Sequence, residues 1–257
     1  MGIHAYDAEG GSHHSVTPSE AKHRGLIFSV TTQFGMLDKP GLKVWFDNEL
    51  ARAAFEQPPF DGESLKDFTR RVKSQRYSNT GGAAQLGTDI HKGIEEVLLG
   101  KSLNGISAGL RKYVEPAVNY FTGKKFKIEE LEKVTVCLDH TFAGTVDVVA
   151  KTPSGHDIIL DWKSKKSAPG KSMAPYPENK WQLAAYCVSV FGEDRVNNHE
   201  IWAANAFIST TEVVDGLARF EVFSYKPEEV AANWRVAKAL FELYRLVNNY
   251  DPRLVAA

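Results

Sequence analysis

Residues 143–164 read AGTVDVVAKTPSGHDIILDWKS, and this stretch decides the fold class. β-Branched residues crowd two runs, 143–151 and 157–164, with Pro153-Ser154-Gly155-His156 between them. Such residues fit a pleated, half-buried surface, and the Pro–Gly cluster reads as a hairpin turn. Two carboxylates interrupt the aliphatic pattern: Asp147 among valines, and Asp161 after Ile158, Ile159 and Leu160. Asp161 and Lys163 are two apart, so in a strand they project to one side and Trp162 to the other. If the two runs pair across the turn, Asp147 approaches Asp161.

Working outward, EKVTVCL (132–138) reads as a preceding strand, and HEIWAANAFIST (199–210) and LARFEVFSY (217–225) as following ones. ENKWQLAAYCVSVF (178–191) is helical, with Leu183, Ala184, Cys187, Val188 and Phe191 as its apolar stripe. Pro227 opens a last helix whose stripe is Val236, Ala237, Leu240, Phe241, Leu243, Tyr244 and Val247. Toward the N-terminus, 26–34 is extended and a helix runs from Asp38-Lys39-Pro40 to about Glu56. Residues 64–78 form a basic helix, 79–87 a glycine-rich loop, and Thr88 caps a helix ending at Gly100. Residues 107–121 are helical, with Pro116 kinking or dividing them. The loop lacks the Gly-Lys-Ser/Thr of a phosphate-binding loop.

This order predicts an α/β fold, a central mixed sheet flanked by helices with an N-terminal helical region. Residues 1–24 hold His4, His13, His14 and His23 without a helical or strand period, and are expected to be a mobile arm. Transition-metal binding there would lack a scaffold to orient the imidazoles. Residues 25–257 are expected to be one domain, 25–121 mainly helical and 122–257 the sheet core.

The 257 residues carry 31 Lys and Arg against 32 Asp and Glu, a net charge of −1. A protein that coats nucleic acid is usually basic overall; an enzyme that grips it locally need not be. No run of about 18 apolar residues encodes a membrane span, and no secretory stretch opens the chain, so a cytoplasmic protein is expected. Cys137 and Cys187 are too few for an iron–sulfur cluster and read as reduced core residues.

Two aspartates beside a lysine suit phosphodiester hydrolysis. Carboxylates are hard ligands for Mg2+, or alternatively Mn2+, and a lysine can orient or deprotonate water and stabilise the phosphate. An Asp-x-Lys triplet alone is more often a surface ion pair. Asp147 adds weight because uncompensated carboxylates are costly within apolar strands.

Four stretches in order, GTDIHKGIEEVLLG (87–100), AGTVDVVAK (143–151), LDWKSKK (160–166) and WQLAAY (181–186), resemble the PD-(D/E)xK nuclease superfamily. The similarity is to its RecB-like exonuclease branch, which includes phage exonucleases and the mitochondrial genome-maintenance exonuclease. That resemblance implies a restriction-endonuclease-like core and Mg2+-dependent DNA hydrolysis in phage or prokaryotic DNA processing. It implies Asp147 and Asp161 as metal-binding carboxylates, Lys163 as the catalytic lysine, and the Trp162 carbonyl and His91 as further ligands. Gln182 and Tyr186, at i and i+4, would line the site, contacting nucleic acid or orienting the lysine. Glu95 is equally a linked acid or a solvated helix charge, and Glu132 an added carboxylate or an exposed strand-end acid.

An exonuclease preferring DNA ends with single-stranded character is expected, with an endonuclease or a catalytically idle binding module as alternatives. A single-strand-binding or recombination protein is the natural partner. Arg70, Arg71, Lys73 and Arg76 could guide phosphates, as could Lys165, Lys166, Lys171 and Lys180 in the 164–180 loop. Tyr176 and Trp181 could stack on bases if exposed.

Overall fold

The computed structural model describes residues 2–255, the side chains of Leu42 and residues 76–80 excepted. Its strands and helices are, in chain order, β1 (Ile3–Tyr6), β2 (Ser12–Val16), α1 (Pro18–His23), β3 (Ile27–Phe28), α2 (Val30–Phe34), α3 (Pro40–Glu56), α4 (Leu65–Leu98), α5 (Ala108–Lys124), β4 (Lys127–Cys137), β5 (Phe142–Lys151), β6 (Asp157–Lys165), α6 (Pro177–Phe191), α7 (Glu193–Asn197), β7 (Trp202–Val214), β8 (Leu217–Tyr225) and α8 (Pro227–Asn248). They fall into two units: residues up to 36 together with those from 91 onward, and Leu37–Ile90. The boundary lies inside α4, where no Pro/Gly/Ser linker marks it, so the sequence offers a single domain over 25–257.

The larger unit is built on a mixed sheet of order β4-β5-β6-β7-β8. The hairpin turn closes where expected. Thr152 N donates to His156 O and Gly155 N to Thr152 O, both at 2.8 Å, and Gly155 takes φ 87°. β6 and β7 are parallel and the other neighbours antiparallel. Parallel neighbours need a crossover, supplied here by α6 and α7. One core packs α2, α6 and α8 on the sheet through Val146, Ile159, Leu183, Tyr186, Cys187, Trp234 and Phe241. On the other side, Phe121 of α5 meets the Trp162 ring at 5.3 Å and Tyr120 meets Phe220 at 5.6 Å. The α/β class with a helix-flanked mixed sheet is thus the observed architecture.

Several local expectations are corrected. Residues 2–24 are not a free arm: β1 pairs with β2 and β3 in a small sheet. The turn is closed by Gly10, at φ 90°, and by Gly11 N on Asp7 Oδ1 at 2.6 Å. Ala5, Tyr6, Val16 and Ala21 are buried. Tyr6 Oη meets Thr145 Oγ1 at 3.2 Å, and Lys22 Nζ donates to Asn248 O at 2.6 Å. The strands are short and rich in His and Ser, which hides their alternation. The 26–34 segment is β3 followed by α2.

The glycine-rich stretch is helical, since α4 runs unbroken from 65 to 98. Each glycine disfavours a helix interior by only about 1 kcal/mol, and Ala83, Ala84 and Leu86 favour it. Thr88 is no cap; its hydroxyl donates back to Ala84 O at 3.2 Å. α5 passes through Pro116 without dividing. α8 buries Val230, Ala231, Trp234, Ala237 and Phe241, while Val236, Leu243 and Val247 are exposed. The 4-3-4 spacing through Val230, Trp234, Ala237 and Phe241 sets the buried face.

Within Leu37–Ile90, Arg71 clasps Glu63 at 2.8 Å and Gln57 Oε1 at 3.0 Å, over the Phe60 ring at 4.1 Å. Arg70 pairs with Asp67 at 2.9 Å. Two of the basic residues expected to guide phosphates are therefore engaged internally, and the Arg76 side chain lies outside the described residues.

Candidate functional site

The β5–β6 ladder ends at Val148↔Leu160. One further step would set Asp147 opposite Asp161, but there the carboxylate replaces the ladder: Asp147 Oδ2 accepts the Trp162 N–H at 2.6 Å. On the other flank Glu132 lies between the pairs Leu131↔Val148 and Lys133↔Val146, across from Asp147, with φ 46°. Phe142, Val146 and Val149 all enter the α6–α8 core, so β5 changes its alternation beside this kink. Asp161 pairs directly with Asn205 of β7. Four polar side chains on four adjacent strands thus converge near the centre of the sheet.

His91 enters from the last turns of α4. Gly93 makes that approach feasible, since a Cβ there would lie 2.7 Å from Val114 Cγ2 of α5. His91 Nδ1 lies 3.6 Å from Asp147 Oδ2. One ligand atom from each of His91, Glu132 and Asp147 falls within 4.8 Å of the others. Glu95 stands outside this trio and acts on Glu132 through its charge.

Asp161 is held differently. Lys163 Nζ is 2.8 Å from its carboxylate, and Asn205 Nδ2 donates to Oδ2 at 3.0 Å. Tyr225 Oη donates to Asn205 Oδ1 at 3.0 Å, fixing which end of the amide faces Asp161. Asn205 is fully buried. From α6, Gln182 Nε2 donates to Tyr186 Oη at 3.0 Å, and both side chains are buried. Tyr186 packs where Gly144 has no side chain: a Cβ at 144 would lie 2.6 Å from the phenol.

Burial, then Asp161 and Glu132 against the opposing Lys163 and Trp162 N–H, hold the Asp147 carboxyl well above the usual range. Burial, with Glu95 and Asp161, pushes Glu132 up to about 7. Burial draws Lys163 down, but Asp161 and Asp147 outweigh it and the ammonium is favoured. Burial lowers His91 despite Asp161, so the neutral, ligand-competent imidazole prevails; the Trp162 backbone also acts on the ring. Burial raises Tyr186 and keeps the phenol protonated.

The expected residues therefore gather, with one regrouping. Asp147, Asp161, Lys163, Gln182, Tyr186, His91 and the Trp162 backbone share one neighbourhood. The tight three-ligand group, however, contains Glu132 in place of Asp161. Asn205 and Tyr225 were not singled out, although Asn205 interrupts an apolar strand, as Asp147 does. Trp181 is partly buried, edge-on to Phe34 at 6.1 Å, and Tyr176 is exposed.

No protein-family model and no curated protein matches this chain. Among solved structures, the crystal structure of SSO0001 covers 76% of this chain and 85% of its own at 15% identity. Its TM-score of 0.32 is too low to speak for fold or function. No helix among the described residues is long and apolar enough to cross a membrane.

Proposed function

We propose that this chain is a metal-dependent deoxyribonuclease of the PD-(D/E)xK kind, similar to the RecB-like exonucleases. The observation that carries the reading is the meeting of His91, Glu132 and Asp147 beside the Asp161–Lys163 pair. Two carboxyls held above their ordinary range, next to a neutral imidazole, form a donor set short of positive charge. The carboxylate oxygens suit Mg2+ or Mn2+, and the imidazole, a donor more usual on transition metals, favours Mn2+ of the two. A bound divalent ion would supply Lewis acidity and lower the pKa of water.

The chain's own groups account for the rest. Lys163, kept charged by Asp161 and Asp147, places an ammonium where negative charge grows on a phosphate. A charged lysine orients water through its N–H donors and does not deprotonate it. Asp161 fixes that ammonium, and Asn205 with Tyr225 fixes Asp161. Gln182 and Tyr186 remain neutral donors on the α6 side of the site. The favoured activity is exonucleolytic, on ends with single-stranded character, with DNA as substrate and a recombination or single-strand-binding protein as partner.

End-labelled and circular DNA incubated with Mg2+ tests this directly. Degraded ends with intact circles are the expected result. Cut circles would make it an endonuclease, and binding without cleavage would leave a binding module. Undiminished cleavage after dialysis into excess EDTA would contradict the metal dependence.

A further inference from the structure

Beside Lys163 lies an aromatic group that this chemistry leaves unused. Lys165 follows Lys163 on the same side of β6, about 7 Å along the strand. Its Nζ lies 4.8 Å from the centre of the Tyr176 ring and 5.2 Å from that of Phe207. Phe207 is the β7 partner of Lys163 and is buried, whereas Tyr176 is 61% exposed. The phenol ring is thus backed by the Lys165 ammonium, two residues along β6 from Lys163, and open to solvent.

The ring is also held in place. Pro175 and Pro177 flank it, and Tyr176 N donates to Asn179 Oδ1 at 2.9 Å at the start of α6. The segment leading to it is pinned to β8. Met173 is buried and its N donates to Glu221 Oε2 at 3.0 Å, Ser172 Oγ donates to the same oxygen at 3.1 Å, and Arg219 donates to Lys171 O at 2.7 Å. Lys165 Nζ adds a bond to Ala174 O at 3.2 Å. Lys180 brings a second ammonium to 5.4 Å from the Tyr225 ring, whose hydroxyl leads through Asn205 to Asp161. A pinned segment therefore presents an exposed tyrosine beside the Lys165 ammonium, with the Lys180 ammonium four residues on, over the Tyr225 ring.

We propose that Tyr176 is a stacking platform for one base of a single-stranded nucleic acid whose phosphates pass Lys165 and Lys180 toward Lys163. This rests on the nuclease reading of the same site. Every base offers a π-face, so stacking tolerates any sequence, while phosphates need only nearby ammonium groups. In an intact duplex those faces are covered by neighbouring bases, so a single strand is the form that fits.

Fluorescence anisotropy of a labelled single-stranded oligonucleotide in Ca2+, which is expected to permit binding without turnover, tests the platform. Variants Tyr176→Ala and Tyr176→Phe change an exposed side chain. Tyr176→Ala should weaken binding about tenfold, the scale of one lost base–aromatic stack, and Tyr176→Phe should retain it. In a set of strands each lacking one base, one should bind the wild type about tenfold more weakly. That strand should lose nothing further in Tyr176→Ala. Wild-type affinity in Tyr176→Ala, equal loss in Tyr176→Phe, or no strand binding by the wild type would each overturn the platform. A strand bound through Tyr176 yet uncut in Mg2+ or Mn2+ would keep the platform and remove the nuclease reading. Cleavage with an unchanged KM in Tyr176→Ala would do the reverse.

Discussion

Asp161 and Asp147 are the same residue type, on neighbouring strands, and both are buried, yet they occupy opposite electrostatic situations. Asp161 meets an ammonium at 2.8 Å and an amide N–H at 3.0 Å. Asp147 accepts one backbone N–H, lies beside an imidazole and Glu132, and feels the Lys163 ammonium only at longer range, against Asp161 and Glu132. A buried charge without a partner is unfavourable by several kcal/mol, so such a group tends to hold its proton. Burial and neighbouring carboxyls raise Asp147 and Glu132 above the ordinary carboxylate range, and Lys163 is kept charged beside Asp161. Charge balance, more than residue identity, separates a closed ion pair from a carboxyl raised above its ordinary range by burial and other carboxyls.

The largest expected effect breaks either half of this arrangement through turnover. Asp147→Asn and Lys163→Ala should each lower the cleavage rate by about 100-fold or more, the scale of one missing transition-state group. Steady-state cleavage of an end-labelled oligonucleotide measures both. Next comes the support of the closed half. Asn205→Asp sets a second carboxylate against Asp161 and should reduce the rate by about tenfold or more, since like charges disfavour ionisation. Tyr225→Phe removes one hydrogen bond and should reduce the rate only about two- to fivefold. Equal losses in these two variants would mean that the amide orientation is irrelevant.

Stability without metal should move in opposite directions. Asp161→Asn leaves Lys163 without its counter-charge and should destabilise by about 1–3 kcal/mol. Asp147→Asn removes a carboxyl whose folded-state pKa is raised, so its stability at neutral pH should be unchanged or higher. Urea unfolding in EDTA compares them, and destabilisation of both would erase the distinction.

The smallest effect is the pH dependence of Glu132. Its carboxyl is raised from 4.5 to about 7 in the folded chain. Between these values the folded state binds more protons than the unfolded state, so this group's contribution to stability falls as pH rises through that window. A cation competes with that proton. The rise in Tm caused by Mg2+ should therefore be fullest above pH 7 and shrink as pH falls below it. A rise independent of pH from 5 to 8 would remove Glu132 from the site.

The sheet was legible because β5 and β6 carry dense β-branched runs around a Pro–Gly turn. Asp147 and Asp161 were legible because they break those runs. Glu132 was legible only as one of two readings, an added carboxylate or an exposed strand-end acid, because its position depends on a local φ of 46° that no strand alternation encodes. Asn205 breaks its apolar strand as Asp147 does, but an amide there acquires meaning only through its register with Asp161. The N-terminal strands were hidden because they are short and the second partner of β1, β3, is two residues long and arrives after a helix. A chain starting at Gly25 would lose β1, with Ala5 and Tyr6 from the buried set, so the segment from β1 to α1 belongs to the fold. In α4, glycine suggested a break where helix-favouring neighbours prevailed.

The proposed seat for a divalent cation is the trio His91, Glu132 and Asp147. Calorimetric titration of Mn2+ into EDTA-stripped protein at pH 7.5 tests it most directly, comparing the wild type with Asp147→Asn and Glu132→Gln. Saturable binding to the wild type is expected, abolished in Asp147→Asn and about tenfold weaker in Glu132→Gln, on the scale of one lost charged ligand contact. Wild-type affinity in Asp147→Asn, or no saturable binding to the wild type, would contradict the account.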